Sequence, residues 1–91
     1  MHFYVYCNDI SKIGTDGQIE ITSSGGCDAN EYNWKLMQYV TKTGWNEVWL
    51  DLWGAGTTGG AADLSKINFM RIYTLNATAT FYIDNIEVVT D

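Results

Sequence analysis

The chain has 91 residues, 46% of them hydrophobic, and a net charge of −6 from 5 Lys and Arg against 11 Asp and Glu. The hydrophobic share excludes wholesale disorder, and the length suits one domain, residues 1–91, with a modest core. The acidic balance excludes the usual nucleic-acid surface, whose clustered cations displace counterions from phosphates, and argues equally against an anionic membrane surface.

No apolar run approaches the length of a membrane span, and no charged-then-apolar leader precedes a cleavage site. The chain opens on Met1-His2-Phe3-Tyr4-Val5-Tyr6, already strand-like, so the expectation is a piece of a longer protein. His2 to Asn8 reads as the first strand, with Phe3, Val5 and Cys7 on one side. A polar loop follows and ends in the turn dipeptide Asp16-Gly17. Gln18 to Ser23 alternates, Ile19 and Ile21 inward, Gln18, Glu20 and Thr22 outward. Ser24 to Asn30 is a second, Gly-rich loop carrying Cys27. A Cys7–Cys27 disulfide is disfavoured, because Cys7 reads as buried and Cys27 as exposed. No CxxC spacing points to zinc.

Glu31 to Val40 is ambiguous: Tyr32, Trp34 and Leu36 fit a strand, but a helical turn fits too. Trp45 to Trp53 is the most regular segment. Val48, Leu50 and Leu52 point one way, and Trp45, Glu47, Trp49, Asp51 and Trp53 the other. Indoles interleaved with carboxylates suit stacking on sugar rings and holding their hydroxyls. Gly54 to Gly60 reads as a flexible loop without the ending of a phosphate loop. Ile67 to Tyr73 is a strand in which Phe69, Arg71 and Tyr73 oppose Asn68, Met70 and Ile72. Thr78 to Val89 is the last strand. Ile83, then Ile86 and Val88, all look inward, which requires an extra residue at Asp84-Asn85, a β-bulge. Short, evenly spaced strands without convincing helices predict an all-β sandwich or barrel.

Gly44-Trp45-Asn46-Glu47-Val48, Asp63-Leu64-Ser65-Lys66-Ile67-Asn68, Met70-Arg71-Ile72-Tyr73 and Phe81-Tyr82-Ile83-Asp84-Asn85-Ile86 follow one another in that order. This order resembles the C-terminal half of galactose-binding-like β-jelly-roll domains, among them carbohydrate-binding modules of secreted bacterial glycoside hydrolases. The first strand and Gly17-Gln18-Ile19-Glu20-Ile21-Thr22-Ser23-Ser24-Gly25 resemble the middle strands of such domains. The resemblance implies an all-β, antiparallel jelly-roll sandwich, truncated because family members carry further strands before His2. It also implies an extracellular bacterial parent, and a structural calcium to which Asp84 contributes. Asp84 has an alternative role, accepting backbone hydrogen bonds at the bulge. The loop acids Asp9, Asp16 and Asp28 match no recognised calcium loop.

For ligand binding the outward rows supply Tyr4 and Tyr6, Gln18 and Glu20, Trp49 and Asp51, Arg71 and Tyr73. On one sheet these would make a concave face for a neutral polysaccharide; Tyr32, Trp34 and Trp53 offer a different site at loop tips. Catalysis finds little support. His2 is the only histidine and sits at the chain end, and Glu20, Glu47 and Asp51 are ordinary sheet-face carboxylates. Asn76-Ala77-Thr78 matches a glycosylation acceptor, which carries weight only on a eukaryotic secretory route. The expectation is therefore a non-catalytic carbohydrate-binding module that targets an attached glycoside hydrolase. The alternative is a structural or self-assembling jelly roll whose aromatics form a protein interface. The strand at His2 to Cys7, lacking preceding partners, predicts a homo-oligomer through exposed strand edges, unless the last strand folds over to cover it.

Overall fold

The computed structural model describes residues 1–74 and 78–87. Among the described residues there are seven strands: β1 (His2–Cys7), β2 (Gln18–Thr22), β3 (Glu31–Lys35), β4 (Gly44–Trp49), β5 (Gly56–Thr58), β6 (Phe69–Tyr73) and β7 (Phe81–Glu87). They form two antiparallel sheets, one in the order β4-β1-β7 and the other β5-β3-β2-β6. The inward rows of both sheets meet in one core, so the protein is an all-β sandwich. Phe3, Val5, Cys7 and Val48 come from the first sheet, and Ile19, Ile21 and Trp34 from the second. Period-two alternation is what lets each strand give one row to this core and the other to its outer face.

Local chemistry sets the turns. Asn46, on the inner side of β4, is buried and stitches the preceding turn. Its Oδ1 accepts from the N–H groups of Thr41 and Lys42, and its Nδ2 donates to the carbonyls of Lys42 and Gly44. Residues 31–40 resolve into β3 followed by a 3-10 turn, Leu36–Gln38, that buries Leu36. β4 ends at Trp49, and the alternation holds through buried Leu50 and exposed Asp51 before it breaks at Leu52. Asp51 caps a 3-10 turn, Leu52–Gly54, by accepting from the Gly54 N–H at 2.8 Å. Leu52 is consequently exposed rather than in the core, and Trp53 is 99% exposed. The glycine-rich stretch expected to be a loop contains β5, which pairs with β3. Both cysteines are free, Cys7 buried and Cys27 exposed.

The expected edge at β1 is not one. β1 is the central strand of its sheet, with β4 on one side and β7 on the other. The last strand covers the side that the sequence suggested was open. The predicted bulge is present: the β1–β7 register shifts between His2 and Tyr4, and Asn85 takes a left-handed conformation, φ 53°. Asn is among the few residues that tolerate it. Val88 and Val89 lie outside the described residues, as do Asn76 and Ala77 of the glycosylation triplet.

Candidate functional site

The outer face of the three-stranded sheet is a grid of three rows by three strands. Register places Trp45, Tyr6 and Tyr82 in one row, Glu47, Tyr4 and Asp84 in the next, and Trp49, His2 and Glu87 in the last. The bulge makes the last row possible. Asn85 is the inserted residue, so Ile86 turns inward with Ile83 while Glu87 joins Asp84 on the outer side. Without that insertion Glu87 would fall on the core side of the strand.

The rows interact directly. Tyr6 meets Trp45 edge-on at 5.5 Å between ring centroids and lies 5.8 Å from Tyr82. His2 stacks on Trp49 at 3.9 Å and meets Tyr4 edge-on at 5.2 Å. Its Nδ1 donates to Glu87 at 2.5 Å and its Nε2 to Glu47 at 2.9 Å. The Tyr4 hydroxyl also donates to Glu47, at 3.3 Å. The hydrogen bond to Glu87, followed by that to Glu47, holds the imidazole above its ordinary range despite the opposing cost of burial. Tyr4 is raised by the charge of Glu47, which keeps its hydroxyl a donor. Trp49 remains 55% exposed and Trp45 49% exposed, so both indoles offer surface to solvent.

The candidate residues read from the sequence divide between two opposite faces. Tyr4, Tyr6 and Trp49 come together on the grid. Gln18, Glu20, Arg71 and Tyr73 lie together on the outer face of the other sheet, turned away from it. Asp51 belongs to neither, being a turn cap. The single concave surface drawn from all eight therefore does not form. Alternation along a strand says which side faces the core but not which sheet the strand joins. The loop-tip alternative also fails to assemble, because Trp34 is buried and donates its indole N–H to the Asp51 carbonyl at 2.8 Å.

On the far face, residues 23–30 fold over the sheet and bury its polar row. Glu20 and Glu31 are each 1% exposed. Arg71 pairs with Glu20 through Nε and Nη2 and reaches Asp28 at 3.7 Å. Thr22 donates to the Gly26 carbonyl at 2.7 Å, and the Asp28 N–H donates to Glu31 at 3.1 Å. Burial raises the Glu20 carboxyl, and Arg71 offsets that only in part, with Glu31 pushing the same way as burial. Burial acts on Glu31 as well, but hydrogen bonds from Asn33 and the Asp28 N–H overcome it and hold that carboxyl low.

Calcium is poorly served by either place. Asp84, the residue the resemblance pointed to, accepts from the N–H of Asn85 and belongs to no three-member acidic cluster among the described residues. Glu20, Asp28 and Glu31 do bring one oxygen each within 4.8 Å of one another. There the Arg71 guanidinium already supplies the positive charge, so the arrangement is a closed ion-pair network. Elsewhere, an open hollow of 320 Å³ lined by Ile10, Ile13, Met37, Val40 and Thr41 offers no ionisable side chain.

Two further grid members, Trp45 and Glu47, are legible in the sequence as outward positions but not as neighbours of Tyr6 and Tyr4. His2 was passed over because a histidine at a chain end has no visible partners; they arrive from 45 and 85 residues away. No family model, curated protein or solved structure matches the chain.

Proposed function

We propose that this chain is a non-catalytic carbohydrate-binding module that takes a saccharide chain across the grid of β4, β1 and β7. The observation that carries this reading is the clustering of five exposed or half-exposed aromatics with three carboxylates, in register, on one open sheet face. Aromatic faces stack on the C–H faces of pyranose rings, and carboxylates accept hydrogen bonds from hydroxyls. Trp45 and Trp49, four residues apart on one strand, stand about 13 Å from each other, room for an extended ligand. Glu47 and Glu87 are both engaged by His2 on an open surface, an arrangement suited to holding a ligand rather than to cleaving one. The two-sheet sandwich agrees with the jelly-roll resemblance, which places such a module outside the cell on a glycoside hydrolase. There it raises the enzyme's effective concentration at an insoluble substrate, so modest affinity is enough.

A glycan array with the intact chain tests the reading. Retention of polysaccharide or oligosaccharide, lost on Trp45→Ala together with Trp49→Ala, is the expected result. A silent array with concentration-dependent association of the protein would replace it with the interface reading, in which these aromatics meet another protein.

A further inference from the structure

The grid is acidic as well as aromatic. Asp84, Glu47 and Glu87 stand on it, and none of the five Lys and Arg residues of the chain lies in β1, β4 or β7. His2 is its one cationic group. With His2 charged the face carries −2, and with His2 neutral −3. Positive charge is therefore in deficit in either state. A neutral sugar chain gives these carboxylates hydroxyl donors but leaves their charge unmatched, and an anionic one would be repelled.

The face already holds one ionisable ring in the way a ligand cation would be held. The His2 ring lies flat against Trp49 at 3.9 Å while two carboxylates accept its N–H groups at 2.5 and 2.9 Å. On the next strand Asp84, exposed, stands opposite Tyr4 and next to the Tyr6–Tyr82 row. Its carboxylate accepts within the protein from the N–H of Asn85. An ammonium placed there gains a charge-assisted hydrogen bond and lies against an aromatic face.

We propose that the saccharide taken by this face carries free amines, as a chain of glucosamine-type units does. This rests on the sugar-binding reading above and adds the charge of the ligand to it. Calorimetry on the intact chain at about pH 5.5, where such amines are protonated, compares three hexasaccharides: one of glucosamine, one of N-acetylglucosamine, and cellohexaose. At low salt, where surface charge is least screened, the glucosamine hexamer should bind about tenfold more tightly than cellohexaose. Salt of about 0.5 M should shrink that ratio severalfold, and Asp84→Asn should narrow it at low salt. Equal affinity for all three sugars would overturn the amine proposal and leave sugar binding standing. Binding of none of them, with a silent array, would overturn both. Oligolysine of the same charge binding as tightly as the glucosamine hexamer would also overturn it, because charge alone would then suffice.

Discussion

His2 and Trp49 occupy opposed positions on β1 and β4, and their rings stack at 3.9 Å with 21° between their planes. The stack covers one side of the indole and leaves Trp49 half open to solvent. A side chain so placed supports the face and presents it at once. Trp49→Ala should weaken saccharide binding severalfold, since an aromatic contact adds about 1 kcal/mol beyond its burial. Calorimetry with a thermal melt checks this: unchanged affinity with a melting point lowered by many degrees would make Trp49 a structural residue only.

Stability should depend on pH through His2. Its folded pKa is raised by Glu87 and Glu47, so the stabilisation is fully present below the unfolded value of about 6.5 and is lost as pH rises through the raised folded value. Melts of the wild type from pH 5 to 9 should show a decline across that window, and His2→Gln should flatten it. A wild-type profile level across the same range would mean that the Glu47–His2–Glu87 bridge contributes nothing.

Arg71→Ala should destabilise the fold by about 3 kcal/mol, because it leaves Glu20 buried with no cation. Adding Glu20→Gln should recover part of the loss. Denaturant titration measures both. Sugar affinity should not change in either variant, since this network lies on the opposite face.

Calcium should leave the melting midpoint where chelator leaves it. A native-state ligand raises stability by mass action, but Arg71 holds the charge position between Glu20 and Asp28, and Asp84 has no acidic cluster around it among the described residues. A midpoint that climbs with millimolar calcium and returns with chelator would contradict this.

Self-association should run through β7 rather than β1. β7 lies at the end of its sheet among the described residues, and its inward Ile83 and Ile86 are 41% and 54% exposed. An apolar row beside an open strand edge is a template for a second chain. Light scattering at rising concentration should show dimerisation that Ile83→Lys and Ile86→Lys abolish. A monomer throughout would leave the acidic side chains of β7 as sufficient protection of that edge.

Much of this was written in local pattern. The inward rows Phe3-Val5-Cys7 and Ile19-Ile21, the outward Trp45-Glu47-Trp49, and the bulge at Asp84-Asn85 all follow from the fixed alternation of a strand, which needs no knowledge of its partners. Alternation also misled. It put Leu52 in the core, where a side-chain cap from Asp51 instead closes a 3-10 turn, and short-range hydrogen bonding outweighed the strand pattern. What the chain by itself determined was therefore which side of each strand turns toward the core. The tertiary structure alone decided which outer rows stand side by side, and which of them a loop then covers. It brought β7 against β1, so that His2 gained Glu87 and Tyr6 gained Tyr82, and it sent Glu20 and Arg71 to the other face. The reason is physical: pairing across a sheet joins residues tens of positions apart, and the backbone hydrogen bonds that fix that register carry no mark in the local sequence.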